Sequence, residues 1–146
     1  MEDKLTVVKV EPQKVPEVVT IGGSLEELQK AVDGHIEVVY PYEDQVGLLM
    51  NEEGKLRRME LNRALRDENG QIYDIIAGTF YVVGLGEDDF CSLTDEQIET
   101  YLNKFDEPYL YVRMGNSFKE IPVRIISIND KKKVEQIIKN ESMIDR

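Results

Sequence analysis

Residues Ile72 to Val83 read Ile-Tyr-Asp-Ile-Ile-Ala-Gly-Thr-Phe-Tyr-Val-Val, an apolar run rich in β-branched and aromatic side chains. Such residues fit the pleated, half-buried surface of a sheet, so the run predicts a central strand around which the rest of the chain must pack. Gly78 within it predicts a bulge or a close approach of another backbone. The run is too short to cross a bilayer, as is every other apolar stretch of the 146 residues.

The remaining pattern supplies strand neighbours and two helices. Leu5–Val10 and Glu17–Ile21 are β-branched segments separated by a stretch with Pro12 and Pro16, and His35–Tyr40 and Gln45–Asn51 resume extended structure on either side of Pro41-Tyr-Glu-Asp44. Ser24-Leu-Glu-Glu27 and Thr94-Asp-Glu-Gln97 have the spacing of capping boxes, in which a hydroxyl and a longer polar side chain satisfy backbone N–H groups at a helix start. Leu25, Leu28 and Val32 follow the first box, and Ile98, Tyr101, Leu102 and Phe105 follow the second at helical spacing. Tyr109–Met114, a Gly115-Asn116 turn and Phe118–Ile128 predict a hairpin, with Pro122 placing its second arm at an edge. Asp130 is positioned to cap a final helix containing Val134, Ile137 and Ile138. The fold expected is α+β: a mostly antiparallel sheet, two main amphipathic helices, and a C-terminal hairpin plus helix. One domain over 1–146 accommodates this, with 107–146 as an embellishment.

The charge distribution is uneven. The chain has 18 basic and 29 acidic side chains and a net charge of −11. Five of the basic residues, Lys55, Arg57, Arg58, Arg63 and Arg66, fall within positions 55–66 beside one acidic residue, so that segment carries +4 and the rest −15. Positive charge framed by negative surface can hold a compact anion while repelling long polyanions. Binding to duplex nucleic acid is therefore not expected, because it draws on many Lys and Arg contacts to phosphate. Arginine offers a planar two-pronged donor for phosphate or carboxylate, and Asn51 and Asn62 add neutral donors nearby. The expected ligand-binding set is Asn51, Lys55, Arg57, Arg58, Asn62, Arg63 and Arg66. Ion pairing with surface carboxylates is the competing use of these cations. Locally, Lys55–Met59 reads as a hairpin arm after the Glu52-Glu53-Gly54 turn, followed by a loop, because a helix over 56–66 would scatter Leu56, Met59, Leu61 and Leu65 around its axis.

Chemistry beyond binding has little support. Gly84-Leu-Gly86 lacks the third glycine of a dinucleotide fingerprint, and Glu87, Asp88 and Asp89 would repel a pyrophosphate. Those carboxylates do not follow a calcium-loop spacing. His35 is the sole histidine and Cys91 the sole cysteine, so no cysteine-based zinc site and no intramolecular disulfide is available, and acidic neighbours disfavour a Cys91 thiolate. No catalytic residue, metal or cofactor is expected, and the protein is not expected to be an enzyme. Tyr40, Tyr42, Tyr73, Tyr81, Tyr109 and Tyr111 lie in or beside predicted strands, where rings pack in a sheet or stack on a base. The start Met-Glu-Asp-Lys has no apolar core of a signal peptide, which gives a cytoplasmic location as the expectation.

Several segments carry a resemblance. Gly34-His-Ile-Glu-Val-Val39, Asn51-Glu-Glu-Gly-Lys55, Asn62-Arg63, Tyr73-Asp-Ile-Ile-Ala-Gly-Thr-Phe80 and Val82-Val-Gly84, with the helix that follows, make residues 17–105 similar to a small domain-of-unknown-function family of phages, plasmids and conjugative elements of Firmicutes-type bacteria. The resemblance implies a mobile-element accessory protein that interferes with host defence, and marks Asn51, Lys55, Asn62, Arg63, Asp74 and Thr79 as motif positions without assigned roles. The function expected is noncatalytic sequestration of a compact anionic, nucleotide-type ligand. The alternative is an acidic protein-binding inhibitor or DNA mimic acting on a host defence protein through Glu87, Asp88, Asp89, Asp95, Glu96 and Glu99. Expected partners are thus a small anionic ligand or a host protein, with no membrane and with homo-oligomerisation open.

Overall fold

A computed structural model describes residues 3–125 of the chain, so the helix expected from Asp130 lies outside the described residues. The elements in order are β1 (Lys4–Val10), β2 (Glu17–Gly22), α1 (Leu25–Val32), β3 (Ile36–Val39), β4 (Val46–Asn51), β5 (Leu61–Arg66), β6 (Ile72–Ala77), β7 (Phe80–Leu85), β8 (Phe90–Cys91), α2 (Asp95–Lys104), β9 (Tyr109–Met114) and β10 (Ser117–Pro122). A 3-10 turn at Val123–Ile125 follows. The fold is α+β, and every described strand pair is antiparallel.

The main sheet has the order β2-β1-β7-β4-β3, with the short β8 pairing the end of β7. Alternation along the three inner strands divides the core in two. Phe80 and Val82 of β7, Val8 and Val10 of β1, and Val46, Leu48 and Met50 of β4 share one face; Tyr81, Val83, Leu5, Val7 and Leu49 share the other. Tyr101 and Phe105 from α2, with Leu65 and Ile76 from a β5–β6 ribbon, cover the first face, and Leu28 and Val32 of α1 cover the second. Because both faces are covered, Val46–Asn51 is buried at every position. Phe80 is fully buried and meets Phe105 edge to face at 5.2 Å. Burial of a side chain of that size stabilises by about 1.5–3 kcal/mol.

The helix starts form as their sequences predict. Thr94 and Gln97 make the full reciprocal box: Thr94 Oγ1 accepts from the Gln97 N–H at 3.1 Å, and Gln97 Oε1 accepts from the Thr94 N–H at 3.0 Å. At α1 only half of the box forms, because Ser24 Oγ accepts from the Glu27 N–H and donates to the Glu27 carboxylate. Asp33, at φ 60°, takes the left-handed position that ends α1, and the Gly34 N–H donates back to the Gln29 carbonyl.

Two local expectations are corrected. The run 72–83 is not one strand: it breaks at Gly78-Thr79 into β6, which pairs with β5, and β7, the centre of the main sheet. Gly78 has φ +86°, its N–H donates to the Glu60 carbonyl at 2.7 Å, and Met59 occupies the space a Cβ would need. A backbone turn and a close approach thus coincide at one glycine. The segment 55–59 is not a hairpin arm either. It is a series of turns closed by Arg57 N–H to Glu53 O, Arg58 N–H to Lys55 O and Met59 N–H to Gly54 O, and the strand begins at Leu61. Local bonds win because residues 55–58 are all exposed and bring no apolar face to a sheet, whereas Asn62, Arg63 and Leu65 are buried.

Candidate functional site

The basic island divides among three environments. Arg63 is only 3% exposed, and its guanidinium donates to the carbonyls of Phe105 (2.9 Å), Lys14 (2.7 Å) and Asn62, and to Asn62 Oδ1 at 2.9 Å. Phe105 closes α2, so the cation sits at the helix end where unpaired carbonyls concentrate negative potential. Burial lowers the Arg63 pKa, and the neighbouring Tyr111, Tyr109, Asp106 and Glu107 oppose that shift. Arginine remains a cation in such a site.

Asn62 is fully buried, and its amide donates to the Val10 and Gly78 carbonyls, both at 2.8 Å. It thereby joins β1, β5 and the break between β6 and β7. Asn51 acts at the end of α1: its amide donates to Val32 O and Asp33 O at 3.0 Å, and its Oδ1 accepts from the Glu53 N–H. Arg57 also reaches the end of α1, donating to the Asp33 carbonyl and pairing with its carboxylate at 3.0 Å. Asn51, Asn62 and Arg63 therefore brace the strands from inside. Arg66 pairs with Glu120 of β10.

Lys55 and Arg58 line a cleft of about 720 Å³ between the β5–β6 ribbon and the β9–β10 hairpin. Lys55 is paired with Asp74 of β6. Arg58 holds a left-handed backbone, φ 56°, at the last of the turns. Leu61, Ile75 and Ala77 give the cleft an apolar floor, while Tyr73 enters from β6 and Tyr111, Arg113 and Phe118 enter from the hairpin. Glu60 and Asp74 are the carboxylates of the lining, so its three cations outnumber its anions in a chain of net charge −11.

Tyr111 is buried, and its hydroxyl donates to Glu120 Oε2 at 2.9 Å. Burial raises its pKa, against a backbone bond from Ala64 and the charges of Arg66 and Arg63, so at neutral pH it is a phenol. Tyr111 and Arg66 meet on the two oxygens of Glu120, which ties the hairpin to β5. A second cleft, of about 770 Å³, lies across Met59 and Glu60 from the first and is lined by Glu11, Gln13, Lys14, Asp33 and Thr79 among others. Its excess of carboxylates makes it the poorer anion site. Among the described residues no group of three or more His, Cys, Asp or Glu side chains is arranged to hold a metal ion.

Of the residues picked from sequence, the fold brings Lys55 and Arg58 to the cleft, pairs Arg66 with Glu120 of the hairpin, and sends Arg57 to Asp33 at the end of α1. Sequence reasoning did not include Met59, Arg113 or Phe118. The Gly115-Asn116 turn was the available signal for the last two, since it fixes the register that sets Arg113 opposite Phe118. Tyr73, Tyr111 and Asp74 were visible as a tyrosine pattern and a motif position without a location.

Fold and cleft together define a small antiparallel α+β protein with a basic, aromatic-lined groove between two β-ribbons. The chain belongs to the family described as Domain of unknown function (DUF3846), whose sequence profile matches residues 5–106. No match to the chain was found among curated proteins or solved structures.

Proposed function

We propose that the protein binds and sequesters a compact anionic ligand of nucleotide type, without turnover, in the cleft between β5–β6 and β9–β10. The observation that carries this reading is the convergence of Lys55 and Arg58 with Tyr73, Tyr111 and Phe118 on one apolar-floored groove. Cations compensate phosphate and exposed rings accept a planar base. The cleft volume falls within the range of roughly 300–1,000 Å³ common for small-molecule sites. Arg66 ties the hairpin to β5 through Glu120, and Asn62 and Arg63 hold β5 in place from inside.

The setting proposed is counter-defence. The protein would act in the cytoplasm of a bacterial cell as a phage or mobile-element product, removing a nucleotide-derived defence signal by stoichiometric capture. The test incubates purified protein with lysate of defence-activated cells and identifies heat-released small molecules and retained proteins by mass spectrometry. Release of an intact phosphorylated small molecule, absent from a Lys55→Glu/Arg58→Glu variant that still folds, is the expected result. A stoichiometric host protein with no small molecule would overturn it.

That outcome would favour a second reading, inhibition of a host protein by an acidic surface. Glu87, Asp88, Asp89, Asp95, Glu96 and Glu99 are all exposed around β8 and the start of α2, and none of the six enters an ion pair among the described residues.

A further inference from the structure

The family match ends at residue 106, and β9 begins at Tyr109. The cleft is therefore composite. Lys55, Arg58 and Tyr73 belong to the matched unit, whereas Tyr111, Arg113 and Phe118 come from a hairpin outside it. The hairpin register sets Arg113 opposite Phe118 and Tyr111 opposite Glu120, and residues opposed in an antiparallel pair project to the same side. One face of the hairpin thus presents all four side chains, and the Tyr111–Glu120–Arg66 contacts hold that face toward β5.

The aromatic residues of the cleft differ in what they can offer. Tyr111 is 3% exposed and its hydroxyl is engaged, so it belongs to the floor. Tyr73 and Phe118 are 58% and 44% exposed, and they line the same groove from separate ribbons. Partly exposed rings offer π-faces to any planar group that enters, and a base stacks on them whatever its hydrogen-bonding edge.

Resting on the phosphate-binding reading above, we propose that Tyr73 and Phe118 form the seat of a nucleobase. The hairpin outside the family unit is then the specificity-determining wall, while Lys55 holds the phosphate end. The family scaffold then supplies the anion site and Tyr73, and the hairpin supplies Phe118, the half of the base seat that lies outside the matched residues. Ligand choice in this architecture would change by altering β9–β10 without disturbing the turns at 52–60.

Calorimetric titration of the full chain with AMP, GMP, CMP, UMP and the baseless ribose 5-phosphate tests this. At least one nucleotide should bind about tenfold or more tighter than ribose 5-phosphate, in line with the usual worth of base–aromatic stacking. Phe118→Ala and Tyr73→Ala should each remove most of that preference, weakening nucleotides far more than ribose 5-phosphate, and Phe118→Tyr should restore it. Lys55→Ala should weaken nucleotides and ribose 5-phosphate by the same factor. Both aromatic positions are exposed, so circular dichroism should show every variant folded. Equal binding of nucleotides and ribose 5-phosphate by the unmodified protein would overturn the base seat while leaving phosphate capture standing. Parallel loss of both ligand types in folded Phe118→Ala would overturn the specificity role. Failure of all five probes to bind would overturn the phosphate-binding reading and the base seat together.

Discussion

Asn62 and Arg63 are adjacent in a charged segment, and both are buried with their side chains hydrogen-bonded inward. Their neighbours Lys55, Arg57 and Arg66 are solvent-accessible and sit in ion pairs. The same residue type therefore has opposite energetic weight a few positions apart. Asn62→Ala leaves the Val10 and Gly78 carbonyls buried without their donor, and a buried unsatisfied group costs about 1–3 kcal/mol. Chemical denaturation should accordingly show a loss of about 2–4 kcal/mol for Asn62→Ala. Arg66→Ala should cost less than about 1 kcal/mol, because exposed pairs are screened and entropically expensive to hold. Equal losses in the two variants would contradict the inward role of Asn62.

At the scale of elements, α2 is held to the 41–45 segment by a small polar and aromatic cluster. Tyr101 donates to Asp44 Oδ2 at 3.0 Å, Gln97 donates to Asp44 Oδ1 at 3.2 Å, and Tyr42 packs on the Tyr101 ring with Lys104 over its own face. Desolvation acts to raise the Asp44 pKa, but hydrogen bonds from Gln97, Tyr101 and the Gln45 N–H outweigh it and leave the value below 3.8. A depressed carboxyl contributes stability that is present above its unfolded pKa and is lost as pH falls through the folded one. Tyr101 and Tyr42 behave in the other sense: burial raises both above 10, so the stability they contribute is present below pH 10 and is lost as pH rises through their folded values. Thermal melts across pH should therefore show Tyr101→Phe with a smaller loss on acidification below about pH 4 than the parent, and a shallower decline above about pH 10. An unchanged pH profile would mean that the cluster does not couple to folding.

The glycine that divides β6 from β7 is a second element-scale determinant. Gly78→Ala would place a methyl against Met59 at a backbone φ of +86°, so both space and conformation oppose it. Strain of this kind costs on the order of 1–3 kcal/mol. Because Met59 lines the cleft, ligand capture should weaken together with stability, and calorimetric titration beside a thermal melt checks the pair. A variant of full stability and full capture would show that the turn tolerates a side chain.

Across the described residues, the main sheet holds the doubly covered core, and β5–β6 and β9–β10 are separate two-stranded ribbons. β7 is paired on both sides, by β1 and β4, and lies between the two halves of the core, whereas β9 and β10 pair only with each other among the described residues. Opening free energies follow such differences in burial and pairing. Hydrogen exchange should find the amides of Phe80–Val83 slowest and those of Ser117–Glu120 among the fastest strand amides. The reverse order would place the stable centre elsewhere. If the order holds, the wall proposed to select a ligand lies on the less stable part of the fold, where side chains can change at small cost to the core.

Local signals in the sequence determined the helix starts at Ser24 and Thr94, the strands β1 to β4, the Gly115-Asn116 hairpin and the α+β class, because caps, turns and alternation act over a few residues. They also marked 55–66 as a basic island. Tertiary structure decided which way each of those side chains faces. Asn62 and Arg63 turned inward because Val10, Gly78, Lys14 and Phe105, distant along the chain, present carbonyls that need donors. Lys55 and Arg58 came to a cleft because a hairpin some fifty residues later supplies its other wall. The break at Gly78 depended likewise on Met59 and Glu60 meeting it across the fold. Local propensity fixes elements, but partners brought together by the packed chain fix which cations brace the core and which line the cleft.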